Sequence, residues 1–144
     1  MIPKPAQALT DLAKKLAIGI APETASAYAQ ANTGMISALM VALAEDSERA
    51  AANRLDDIGD MQALFREAAK TYPDAPGSAA RAAFCASAPR GFRISELDAF
   101  HAEGLLALID LHTWSETHAS KLEEQIWDFL RTHTERNRFE VTAL

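Results

Sequence analysis

Apolar residues recur along most of the chain at the three- and four-residue spacing that places them on one face of a helix. In the first segment this face consists of Leu9, Leu12, Ala13, Leu16 and Ile20. The spacing predicts a helix from about Pro5 to Gly19. A second helix can open at Pro22 or Thr24, because proline tolerates the first turn and threonine caps it, and we expect it to reach about Ala44.

The second and third apolar segments predict a helical hairpin. The inward face of the second helix should hold Tyr28, Ala31, Asn32, Met35, Leu39, Ala42 and Leu43. Ser47 is a suitable N-cap for a third helix, which would end at Tyr72 because Pro73 follows. Its inward face should hold Ala51, Leu55, Ile58, Met61, Gln62, Phe65, Ala68, Ala69 and Tyr72. The alternative is one kinked helix through both segments, since the junction has no glycine or proline.

Prolines and glycines concentrate between Pro73 and Arg93, which predicts a connector within the domain. Residues 78–88 should form a short helix inside it. Ser95 and Asp98 match the capping-box pattern, so the next long helix should begin there and reach about Ser115.

Thr117 can cap a last helix, whose end is predicted by the basic charge of the run 136–138. One helix continuing across residues 115–117 is the alternative. Residues 139–144 are the only run with a strand-like pattern and have no partner strand, so we expect a frayed tail.

Composition favours an all-helical fold. The sequence holds 30 Ala but only 6 Gly and 6 Pro, and alanine is the best helix former. With 144 residues, 49% of them hydrophobic, a single domain over residues 1–144 can bury a core without disulfides. We predict an all-α, mostly antiparallel bundle of five to six helices, four of them long.

The charge and the cysteine content indicate which classes of partner and which cellular compartment to expect. Fourteen Lys and Arg against 20 Asp and Glu give a net charge of -6, which argues against nucleic-acid binding. The uncharged stretch 24–44 is long enough for a membrane span but is rich in alanine and polar residues, so no membrane insertion is expected. The lone Cys85 and a start without a signal-peptide pattern favour a cytoplasmic location.

No sequence motif indicates an enzyme. The chain lacks a phosphate-binding loop, a dinucleotide glycine fingerprint, a nucleophile elbow and paired cysteines. It also lacks the H-x-x-x-H and E-x-x-H spacings of helical metal sites. We therefore predict no catalytic residue, no metal ligand and no cofactor.

Two histidines are the first candidates for a binding site, because they fall on the apolar face of the helix after Ser95. His101 and His112 share this face with Asp98 and Glu116. The two histidines would be about 16 Å apart, so one ion could not bind both. The competing interpretation is a pair of structural histidines held by carbonyls or carboxylates.

Three further polar or reactive residues lie on predicted apolar faces, where burial is costly without a partner. Arg54 could form an ion pair, anchor an anion or extend to water. Asn32 could fix the register of a helix pair. Cys85 would need a nearby base to be catalytic and is more typical of a buried thiol. His133 should also face inward, near the end of the last helix.

These observations lead to three hypotheses of function. The first is a helical module that acts by self-association or by binding another protein, in its simplest form a homodimer. Trp114 and Trp127 lie away from the predicted core faces and would form its interface. The alternative is a small-ligand or metal-binding bundle, either a binding protein or an enzyme. That site would use His101, His112, Asp98 or Glu116, with Arg54 as an anion anchor. A basic protein partner, suggested by net charge alone, is the third idea.

Overall fold

The computed structural model describes residues 4–139, and these residues form helices joined by short connections. The first helix is α1, Pro5–Lys14, which continues as a π-helical segment, Lys15–Ile20, and a 3-10 turn, Ala21–Glu23. The other four are α2, Ala27–Thr71; α3, Ser78–Ala86; α4, Ile94–His118; and α5, Ser120–Arg136. The all-α prediction is confirmed, with five α-helices in the described part of the chain. Of the predicted tail, residues 140–144 lie outside that part.

The predicted hairpin is wrong, because α2 is one continuous helix of 45 residues. At the expected break, Ser47 does not cap a new helix: its hydroxyl donates to the carbonyl of Ala44 at 2.8 Å. Arg49 pairs with Glu45 one turn earlier, at 2.9 Å. Polar residues alone do not interrupt a helix when each of them tolerates helical backbone, and proline would have been needed to force a break here.

The boundaries of α4 and α5 differ from the sequence prediction by a few residues. The capping box at Ser95 and Asp98 is wrong, since α4 begins at Ile94 and the carboxylate of Glu96 accepts the backbone N–H of Arg93 at 3.2 Å. Ala119 interrupts the helices with φ -155° and ψ 73°, which rules out one continuous helix. The last helix therefore starts after Ala119 and not at a Thr117 cap.

The described chain divides into two compact units, separated within α2 after Ala50. The second unit spans Ala51–Asn137 and has a large hydrophobic core. Its fully buried apolar side chains are Met61, Phe65, Leu97, Leu111, Leu122 and Ile126. Gly104 lets α4 approach closely, because a Cβ there would lie 2.6 Å from Phe84 and 2.8 Å from Met61.

In the first unit, α2 presents its small residues to α1. The hydroxyl of the fully buried Ser37 donates to the carbonyl of Ala13 at 2.6 Å. The predicted inward face of helix two is wrong, because its large members Tyr28, Met35, Leu39 and Leu43 are 57–77% exposed. Small residues allow close backbone approach, so the serine side packs and the bulky side, roughly opposite on the helix, stays in solvent.

None of the helices in residues 4–139 combines the length and hydropathy that a membrane span needs.

Candidate metal centre around Asp57

Asp57 is a fully buried carboxylate in the second half of α2. Its neighbours Ile58 and Met61 belong to the hydrophobic core, so the helix places Asp57 at the edge of that core. A buried carboxylate is costly unless charged or hydrogen-bonding groups surround it. The structure supplies these groups from α4 and from the end of α5.

Four side chains surround the two oxygens of Asp57. Arg136 donates from Nη1 to Oδ1. His133 Nδ1 lies 2.7 Å from Oδ2, and Asn137 Nδ2 donates to Oδ2 at 3.2 Å. His101 Nε2 lies 3.5 Å from the same oxygen. The carboxylate therefore joins α2, α4 and α5 at one point.

The surroundings of Asp57 favour its ionised form. Burial by itself raises the pKa of Asp57, but the contacts with His101, His133 and Arg136 outweigh burial and hold it well below the usual range. The pKa of its partner Arg136 is also shifted in the direction that favours the charged form. Burial lowers the pKa of Arg136, but its bonds to Asp60 and Asp57 raise it above its ordinary value. Both groups are thus charged across the physiological range.

The two imidazoles stack, with ring centroids 5.5 Å apart and planes inclined by 26°. His101 is buried, and its Nε2 has no hydrogen-bond partner among the described residues. His133 is about a quarter exposed, as its predicted position near the chain end suggested. One ligand-capable atom from each of Asp57, His101 and His133 lies within 4.8 Å of the others. This is the spacing of a small metal site.

The immediate surroundings of the three residues carry excess negative charge. Arg136 binds Asp60 through Nη2 at 2.7 Å and lies 4.0 Å from Asp56 through Nε. Three carboxylates therefore share one guanidinium, which leaves a charge of -2 when both imidazoles are neutral.

A second row of hydrogen bonds holds the end of α5 in place. Arg54 donates from Nη1 to the side-chain oxygen of Asn137 at 2.9 Å and from Nε to Asp98 at 2.7 Å. Asn53 Nδ2 donates to the carbonyl of Arg136 at 3.0 Å. The sequence-predicted residues Arg54, Asp98 and His101 thus contribute to one polar network between α2 and α4.

The other predicted site residues lie elsewhere. His112 meets the ring of Trp127 edge-on, with centroids 5.3 Å apart, and its buried Nε2 lacks a described hydrogen-bond partner. Glu116 is exposed. Both tryptophans were expected to be exposed. Trp127 is 48% exposed, but the prediction is wrong for Trp114, which packs against the core and stacks on His118.

The sequence analysis did not assign Asp57, His133, Arg136 or Asn137 to a site, although it placed His133 facing inward. A signal for Asp57 was present, because it shares a helix face with Arg54 and Met61, which were predicted to face inward. No sequence signal distinguished Arg136 and Asn137, because basic and amide residues are common at the C-terminal end of a helix.

The geometry stands without support from relatives. Comparison of the chain with protein-family models, curated proteins and solved structures gave no match.

Proposed function

We propose that this protein binds a divalent transition-metal ion, with Asp57, His101 and His133 as ligands. The observation that carries the proposal is the buried cluster itself, in which three ligand-capable atoms lie within 4.8 Å. One of its members, His101 Nε2, is buried without a hydrogen-bond partner among residues 4–139. A buried, unsatisfied imidazole nitrogen is unfavourable, and an ion would satisfy it.

The distances support an ion of the size of zinc. Bonds of 2.0–2.1 Å to nitrogen and oxygen place tetrahedral ligands roughly 3.3 Å apart. His101 Nε2 is 3.5 Å from Asp57 Oδ2, and His133 Nδ1 is 2.7 Å from it. Small side-chain rotations would equalise these separations. A set of two imidazoles and one carboxylate also leaves a coordination position for water or a substrate.

The charges support a dication. The surplus of two negative charges around Arg136 equals the charge of one divalent ion. Arg136 and Asn137 would keep the Asp57 carboxylate oriented, as outer-shell partners do in metal sites. We expect affinity to depend on this negative surplus as well as on the three ligands.

Titration with Co²⁺, followed by competition with Zn²⁺, tests the proposal, because tetrahedral Co²⁺ has a strong visible spectrum. We expect a single equivalent to bind the intact chain. His133→Ala and His101→Ala should each weaken binding at least about tenfold. The chain offers matched controls in His112→Ala and His118→Ala, which remove an imidazole outside the cluster and should leave affinity unchanged.

Two outcomes would overturn metal binding at this site. One is the absence of a tetrahedral cobalt spectrum in a folded protein, and the other is equal loss of affinity in the cluster variants and the control variants. Folding of each variant is checked by circular dichroism. In either case the cluster would be a structural network that joins three helices.

A second candidate function is self-association, supported by the exposed apolar face of α2. This face consists of Tyr28, Met35, Ile36, Leu39 and Leu43, each 49–77% exposed. We propose a second copy of this chain as its occupant. Residues 24–44 carry no charge, so two identical faces can meet without repulsion despite the net charge of -6.

The size and spacing of this face also fit a dimer. Five such side chains offer about 500 Å² per copy, so two copies bury about 1,000 Å², the lower limit for a specific interface. Residues 28, 32, 35, 39 and 42 follow the alternating four- and three-residue spacing of a helix seam. Asn32 lies in this seam, where a paired asparagine would set the register.

Sedimentation over a range of concentrations tests the dimer. Leu39→Glu should shift the protein towards monomer, because it places like charges opposite each other in the interface. Leu106→Glu is the matched control, since Leu106 is 66% exposed on α4. Trp127→Ala tests the interface expected from the sequence. A monomer at all concentrations, or a dimer that Leu39→Glu leaves intact, would overturn the α2 interface.

A further inference from the structure

A pocket of about 470 Å³ lies against the end of α2 and α3, within the second unit. Its apolar walls come from Phe65, Ala69, Ala82 and Ala86. None of its nine lining residues is acidic, although acids outnumber bases in the chain. The volume is in the range that encloses a small organic molecule.

Arg81 gives this pocket an unusual positive charge. Its side chain is 2% exposed and donates to two backbone carbonyls, those of Pro76 at 2.5 Å and Ala75 at 3.2 Å. Its Nε has no hydrogen-bond partner among the described residues. Burial lowers the pKa of Arg81, while the charge of Asp110 opposes this effect. A guanidinium this deeply buried is normally paired with a carboxylate, whereas the hydrogen-bond acceptors of Arg81 within residues 4–139 are these two carbonyls.

Two exposed cations, Arg66 and Lys70, lie on the same wall of the pocket, one helical turn apart on α2. Arg66 makes long hydrogen bonds, to Gln62 at 3.3 Å and to the carbonyl of Cys85 at 3.5 Å. Lys70 lies 3.5 Å from Glu67, and both of these side chains are more than half exposed. Such a solvent-exposed pair is weak, so both cations are available to a ligand.

We infer that this pocket binds a small organic anion, a carboxylate attached to an apolar chain or ring. The carboxylate would contact Arg66 and Lys70 in the field of Arg81, and the apolar part would lie against Phe65 and the alanines. A ligand of this kind would contact both the positively charged side chains and the apolar walls of the pocket. The site shares no residue with the metal cluster, so the two proposals succeed or fail independently.

Cys85 provides a direct reporter, because it lines the pocket and is the only cysteine of the chain. Burial raises the pKa of its thiol, so we expect alkylation to be slow enough to follow. Octanoate is the probe, and alkylation by N-ethylmaleimide is measured with and without it. Octanol tests the need for the anion, and inorganic phosphate tests the need for the apolar part. Amide chemical shifts give the affinity and the location.

We expect octanoate to slow the alkylation of Cys85 several-fold and to shift amides within residues 65–86. Replacing both Arg66 and Lys70 with glutamine should weaken octanoate binding at least about tenfold. The matched control replaces Lys121 and Arg131 on α5, which changes the net charge equally and should preserve affinity.

Three results would overturn the inference. If octanol protects Cys85 as well as octanoate does, the cations do not contribute to ligand binding. If phosphate does so, the apolar walls are not used. If octanoate neither protects the thiol nor shifts residues 65–86, the pocket does not bind this class of ligand.

Discussion

Arg54 of α2 and Asp98 of α4 form an ion pair, with 2.7 Å between Nε and Oδ1. The two side chains are 24% and 48% exposed, so water screens much of the attraction. Arg54 also holds Asn137, and through it the end of α5. The pair therefore links three helices at the rim of the Asp57 cluster.

We expect a double-mutant cycle on this pair, with Arg54→Gln and Asp98→Asn, to give a coupling energy of about 0.5–1 kcal/mol. High salt should reduce it. The same cycle on Lys70 and Glu67, at 3.5 Å and largely exposed, is the control and should give a value near zero. Urea unfolding measures both. Equal coupling in the two pairs would mean that the network around Asn137 adds nothing.

The second prediction concerns acid stability. The folded-state pKa of Asp57 lies below its unfolded value, so the folded protein binds fewer protons there. The stabilisation is therefore complete above the unfolded pKa of about 3.9 and is lost as pH falls towards the folded value. We expect the free energy of unfolding to decrease steeply below about pH 4.

The variant Asp57→Asn isolates this effect, because it keeps the shape and cannot titrate. It should be less stable than the parent at pH 7, since Arg136 then lacks its buried anion. The difference between the two proteins should narrow as the pH falls below 4. Asp74→Asn, at an exposed position in the connector, is the control. A difference that is constant with pH would contradict the assignment of acid sensitivity to Asp57.

The sequence predicted the helical class, and most helix ends to within a few residues, because those depend on local chemistry. Alanine content, the proline-rich connector and the basic end of α5 are all readable from neighbouring residues. Local chemistry did not predict that α2 is continuous. Glu45, Asp46 and Ser47 resemble a cap, but the same residues also tolerate a helix, and nothing local decides between the two.

The candidate site was only partly predictable for a related reason. His101, Arg54 and Asp98 stood out because they are polar residues on apolar faces. The residues that complete the cluster come from far along the chain: His133 lies 76 residues from Asp57, and Asn137 lies 83 residues from Arg54. Helical periodicity orients a side chain but does not say which distant helix it meets, so the assembly of the cluster required the tertiary structure.

The third prediction concerns the packing of Gly104. A methyl group there would lie 2.6 Å from Phe84 and 2.8 Å from Met61, both in the core. We expect Gly104→Ala to destabilise the protein by about 1–3 kcal/mol through overpacking, despite the better helix propensity of alanine.

Gly59→Ala is the matched control, because its Cβ would meet no atom within 4 Å. That variant should be more stable by about 0.5–1 kcal/mol. Urea unfolding of both variants gives the comparison, and similar effects in the two would contradict close packing at Gly104.

The last prediction distinguishes a continuous α2 from a hairpin. Proline at position 48 would remove the N–H that bonds back towards Ala44 and would crowd that carbonyl. In a continuous helix, Glu48→Pro should therefore cost about 3 kcal/mol or more. In a hairpin capped by Ser47, position 48 would be the first residue of a new helix, where proline is well tolerated.

The control is Ala27→Pro, because Ala27 is the first residue of α2 and its N–H needs no helical partner. We expect this variant to retain the parent's free energy of unfolding within about 0.5 kcal/mol. Ser47→Ala adds a second test, since loss of an N-cap would cost about 1 kcal/mol, whereas the Ser47 hydroxyl donates to the carbonyl of Ala44 within the same helix. If Glu48→Pro is neutral and Ser47→Ala is destabilising, α2 is two helices. The opposite pair of results establishes a single helix through residue 48.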